Sequence, residues 1–104
     1  MVNEAFKEQL PVLIELLKKH KIKKAYFFGS VLTEKFTAKS DLDILINFRG
    51  DVTDPLEKGG LLWDLRFAIE DILNRQVDLL QESSLKNSYF IKEMNETKEL
   101  IYEQ

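Results

Sequence analysis

The stretch FFGSVLTEKFTAKSDLDILINF, residues 27–48, constrains this chain more than any other. An apolar run over residues 24–28, KAYFF, breaks at Gly29-Ser30, and residues 31–40 then lead into a second apolar run opened by Asp41-Leu42-Asp43. Ionised carboxylates are costly to take out of water, so a strand that is otherwise buried keeps two of them only if they are used or neutralised. Asp41 and Asp43 are two residues apart and, in an extended segment, point the same way. The usual rise separates them by about 6.6 Å. Leu42, Ile44 and Ile46 point the other way, towards a core.

The rest of the pattern supplies the frame. Phe6, Leu10, Leu13, Ile14 and Leu17 recur at helical spacing over residues 4–20. Pro11 either kinks that helix or marks its true first turn. A strand follows over 24–28, a short helix over 30–36, and a buried strand over 42–48. RGDVTDP is a loop in which Asp51 and Asp54 are solvated turn formers. Leu62, Leu65, Ile69, Ile72 and Leu73 define one face of a helix over 61–74, and QVDLL over 76–80 is a third strand. Ser83 or Ser84 caps a last helix containing Leu85, Tyr89, Met94 and Ile101. The expected fold is α/β (α+β), in the order α-β-α-β-α-β-α. Its small mixed three-stranded sheet carries helices on one face and leaves the other open enough to host a site. With 104 residues, a single domain over 1–104 is the natural partition.

Composition narrows the function classes. Without cysteine there is neither a disulfide framework nor a zinc-thiolate site. The N-terminus lacks the basic start and apolar stretch of a leader segment, and no window is apolar enough for a membrane span, so a cytoplasmic protein is expected. A net charge of −3 argues against general affinity for nucleic acid. The cluster Lys18, Lys19, Lys21, Lys23 and Lys24, with the lone His20 among them, reads as a solvated helix end.

A third acid, Asp78, interrupts the third strand. If the second and third strands are neighbours, it lies about 5 Å across from Asp41 or Asp43. Carboxylate oxygens so arranged suit a hard divalent ion such as Mg²⁺. Three of them can hold two ions about 3.5 to 4 Å apart, an arrangement used for in-line displacement at phosphorus. Gly29 lets the backbone approach a phosphate closely, amides opening a helix favour an anion, and the Ser30 hydroxyl can donate to a phosphate oxygen. A phosphate-binding turn beside a two-metal site describes a nucleoside triphosphate site.

Gly29-Ser30, the spacer 31–40 and Asp41-x-Asp43 resemble the signature of the DNA polymerase beta-like nucleotidyltransferase superfamily. Size, element order, Val77-Asp78-Leu79 and the ending ELIYE make the chain similar to a minimal nucleotidyltransferase. The resemblance implies that Asp41, Asp43 and Asp78 are catalytic and hold two Mg²⁺ ions, with Asp78 also helping to deprotonate the acceptor. Gly29, Ser30, Lys39 and Ser40 would bind ATP. It further implies AMP transfer to a tyrosine of a HEPN-domain toxin, with the chain as antitoxin. A small-molecule or nucleic-acid acceptor, or neutralisation by steric blockade alone, are the alternatives. Where relatives commonly carry arginines and a glycine after Gly-Ser, this chain has Val31-Leu32-Thr33-Glu34, which leaves Lys35 or Lys39 to supply positive charge. Trp63 and Phe67, at i and i+4, either pack under the domain or form an interface for a partner or a second copy.

Overall fold

The computed structural model describes residues 4–104; residues 1–3, part of the N-terminal stretch and of the 1–104 domain reading, lie outside the described residues. A 3₁₀ segment, Glu4–Gln9, leads into α1, Leu10–Lys19. Pro11 sits in the first turn of α1, where the missing N–H costs nothing. The remaining elements are β1 (Ile22–Phe28), a 3₁₀ turn (Gly29–Leu32), β2 (Leu42–Phe48), α2 (Pro55–Leu73), β3 (Val77–Gln81), a 3₁₀ turn (Glu82–Ser84), α3 (Ser88–Thr97) and β4 (Glu99–Glu103).

Among the described residues the sheet has four strands in the order β3-β2-β1-β4, not the three expected. Apolar spacing places the end of the chain in a helix, yet ELIYE pairs antiparallel with β1, Ala25 opposite Tyr102 and Phe27 opposite Glu99. Tertiary pairing on the free edge of β1 decides the state of a segment whose apolar spacing alone permits a helix. β1 and β2 are antiparallel, while β2 and β3 run parallel and are joined by α2 as the crossover.

α2 starts six residues earlier than its apolar face indicates. Asp54 caps it, accepting a hydrogen bond from the Leu56 amide at 3.0 Å, and Pro55 opens the first turn. Asn74 ends it in the left-handed conformation.

One face of the sheet carries the main core: Ala25 and Phe27, then Leu42, Ile44 and Ile46, then Val77 and Leu79, against Leu13 and Leu17 of α1 and Leu65 and Ile69 of α2. The opposite face is not simply open. α3 folds back over it, with Met94 buried and Phe90 edge-on to Phe28 at 6.4 Å between ring centroids; Leu45 of β2 is buried as well. Lys98 fastens the far end, 2.6 Å from Glu82 Oε2 and over the Tyr26 ring. The uncovered remainder of this face bears the acids. Among the described residues, no helix is long and apolar enough to cross a membrane.

Candidate active site

Strand register brings the acids together. In the parallel β2–β3 ladder Asp43 stands opposite Asp78, and in the β1–β2 ladder it stands opposite Phe28. Read across the sheet, the sequence is Asp78 on the edge strand, Asp43 in the centre, then the Phe28-Gly29 corner. Asp41 lies just ahead of β2, exposed. The start of β3 is held by Glu70 of α2, whose carboxylate accepts from the Val77 amide at 3.0 Å.

Asp43 responds to this crowding. Its carboxyl is pushed up from 3.8 to about 6, first by burial and then by the negative charges of Asp78 and Asp41. Burial disfavours the anion, and like charges disfavour it further. Such a group gains from a nearby cation, and the donor set, all carboxylate oxygen, suits a hard divalent ion. As the side chains stand, however, no three carboxylates among the described residues are close enough to hold a metal ion.

Gly29 turns the chain at the end of β1 with φ +75°, a conformation that other L-residues rarely adopt. It also makes room for Asp43, since a Cβ at position 29 would collide with Asp43 Oδ2. Ser30 follows in the 3₁₀ turn, its carbonyl tied by the Thr33 hydroxyl at 2.8 Å and the Thr33 amide at 2.9 Å. Lys39 is exposed in the loop before β2, its amide donating to the Thr37 hydroxyl. The Ser40 hydroxyl accepts from the Thr37 amide at 2.9 Å.

Beside Asp43, between the β1 corner and α3, lies a cavity of about 420 Å³, lined chiefly by Phe28, Gly29, Asp43, Phe90, Glu93 and Met94. Sequence reasoning did not connect α3 with the site. The available signal was the recurrence Phe90, Glu93, Met94, Thr97, which places all four on one helical face. Trp63 and Phe67 do not pack under the domain. They are 58% and 53% exposed and form a T-shaped pair 5.1 Å apart on the outer surface of α2.

A mixed sheet with paired acids on adjacent strands and a glycine corner against one of them has the parts a phosphate-transferring site needs, carboxylates for a cation and an open turn for an anion. Residues 12–104 match the family described as Polymerase beta, Nucleotidyltransferase, and the chain belongs to that family. Among curated relatives, it is 36% identical over 87 residues to "Putative protein adenylyltransferase MJ0128" of Methanocaldococcus jannaschii, covering 84% of this chain and 82% of that protein. It is also 36% identical over 101 residues to "Putative protein adenylyltransferase MJ1217" of the same organism, covering 97% and 93%. Among solved structures, one described as "Structure of putative minimal nucleotidyltransferase" superposes with a TM-score of 0.71 at 23% identity, covering 95% of each chain. Another, "Crystal structure of the toxin-antitoxin with AMP-PNP", gives 0.71 at 22% identity, covering 91% of this chain and 73% of that one. A third concerns a tri-AMPylated Shewanella oneidensis HEPN toxin in complex with MNT antitoxin. It gives 0.66 at 20% identity, covering 94% and 72%.

Proposed function

We propose that this chain is a cytoplasmic, Mg²⁺-dependent protein adenylyltransferase that moves AMP from ATP to a tyrosine hydroxyl of a HEPN-type toxin and thereby acts as its antitoxin. The observation that carries this is the register of Asp43 against Asp78, with the Gly29 corner packed on Asp43. The names of the adenylyltransferase relatives and the toxin–antitoxin neighbours support the choice of donor and acceptor.

Each residue then has a task. Gly29, Ser30 and the exposed cations Lys35 and Lys39 receive the β- and γ-phosphates. The cavity under Phe28 and Phe90 takes the nucleoside. Asp41, Asp43 and Asp78 would hold Mg²⁺, whose bound form neutralises the triphosphate and the acids. The acceptor oxygen bonds to the α-phosphorus while the bond from that phosphorus to the α,β-bridging oxygen breaks and pyrophosphate departs. The hydroxyl proton passes to Asp78. Asp78 is exposed on an edge strand, so a hydroxyl carried by a second protein reaches it without entering a pocket. Orientation and charge compensation supply most of the acceleration.

The test is transfer of label from α-³²P-ATP to the HEPN protein, with and without Asp43→Asn. Label on a tyrosine that disappears in the variant is the expected result. If Asp41→Asn and Asp43→Asn both still neutralise the toxin while folded, blockade through the exposed Trp63–Phe67 surface replaces catalysis. Label on a small molecule or a nucleic-acid end instead would reassign the acceptor.

A further inference from the structure

Asp41 lies outside β2 and is exposed, so its direction is set by the backbone on either side of it. Both sides are held by one short segment, residues 75–76. Arg75 Nη1 donates to the carbonyl of Ser40 at 2.9 Å and to the carbonyl of Thr37 at 3.2 Å. The Leu42 amide donates to the Gln76 carbonyl at 3.0 Å. The guanidinium itself is fixed from below, its Cζ 4.4 Å from the centroid of the Phe36 ring and 5.8 Å from that of Phe6. Those rings are anchored in turn, since Phe36 and Phe6 are buried and meet edge-on at 6.0 Å.

We propose that Arg75 is a positioning residue for Asp41: it ties the loop between the Gly29 corner and β2 to the start of β3, and so presents the Asp41 carboxylate to the metal and triphosphate alongside Asp43 and Asp78. The proposal rests on the nucleotidyltransferase role given above. Arg75 acts through two backbone carbonyls. The planar guanidinium suits the task because it donates in its own plane while its face lies on an aromatic ring. Lysine has the charge but neither the fork nor the flat face. Two connections, one to Ser40 and one through the Leu42–Gln76 bond that extends the β2–β3 ladder, bracket a single residue. Partners that orient a metal ligand typically alter metal affinity about 10- to 100-fold when removed.

Mn²⁺ binding by water-proton relaxation, in the presence of a non-hydrolysable ATP analogue, tests this without relying on turnover. The proteins compared are the wild type, Arg75→Met, Arg75→Gln, Asp41→Asn and the double variant Arg75→Met/Asp41→Asn. Arg75→Met is expected to weaken Mn²⁺ roughly tenfold and to raise the Mg²⁺ concentration for half-maximal transfer, leaving the ATP KM at saturating Mg²⁺ nearly unchanged. In the Asp41→Asn background the same substitution should do nothing further to Mn²⁺ affinity. Unchanged Mn²⁺ affinity with only a lowered melting temperature overturns the proposal, as does full additivity in the double variant. If Arg75→Met does not fold, Arg75→Gln carries the same comparison. Should Asp41→Asn alone leave Mn²⁺ binding and transfer intact, the role given to Asp41 fails instead, a separate and recognisable outcome.

Discussion

The Asp43 carboxylate lies against the α-carbon of Gly29: a Cβ at that position would overlap Oδ2 and stand 3.4 Å from Cγ. Two demands therefore meet at one residue, a left-handed backbone and the absence of a side chain. Gly29→Ala should cost about 1–2 kcal/mol from the backbone conformation alone and should also displace Asp43. The expected result is a modest fall in melting temperature with transfer almost abolished. Transfer that declines only in step with stability would show that the contact has no catalytic consequence.

Asp43 makes stability depend on pH in the direction opposite to a salt-bridged acid. Its carboxyl is raised from 3.8 to about 6 by burial and by Asp78 and Asp41. Between those values the folded chain binds the proton that the unfolded chain releases, so unfolding free energy falls as pH rises through the window and levels off above it. Asp43→Asn removes that slope. In metal-free urea titrations the variant should be more stable than wild type above pH 6 and lose that advantage below pH 4. A wild-type profile that is flat from pH 4 to 6 would contradict the assignment.

Glu93 lines the cavity beside Asp43, across from Phe28. A carboxylate set against position 6 of a purine accepts a hydrogen bond from the amine of adenine and repels the carbonyl of guanine there, which favours adenine. Glu93→Gln should shrink the preference for ATP over GTP by about tenfold, the scale of one hydrogen bond, with activity on ATP largely kept. Competition between the two nucleotides measures it, and an unaltered ratio would move the base elsewhere.

Trp63 and Phe67 are exposed and stacked edge to face. Large aromatics so placed commonly dominate binding energy. Trp63→Ser with Phe67→Ser should weaken capture of the HEPN partner by roughly tenfold or more without lowering the melting temperature, as read by titration calorimetry and thermal unfolding. If capture is unaffected but the chain changes oligomeric state, the surface joins copies of this chain.

Much of this arrangement was readable in the residues. β2 matches its apolar run over 42–48, and the placement of Asp43 beside Asp78 follows from spacing plus neighbouring strands. Local pattern failed where a distant partner decides. β4 is a strand because β1 offers an edge, a fact absent from ELIYE itself. α2 begins at Pro55 because Asp54 caps it, while Gly59 and Gly60 mask the helical pattern there. Leu45 shares a face with Asp43, yet it is buried, which alternation along β2 does not foretell. Arg75 gave no signal: a single cation before a strand has no period, and its partners, Thr37 and Ser40, are more than thirty residues away.

The aromatic pair on α2 and the acids occupy opposite sides of the sheet, since Leu65 and Ile69 of the same helix fill the core beneath Leu42 and Ile44. A protein gripping α2 is therefore held behind the blade, not at its cutting edge. To be modified it must reach around β3 with a flexible arm, or be served by a different molecule from the one that holds it. Grip and chemistry are thus separable tasks, and dilution should slow the second far more than the first if two molecules must share the work.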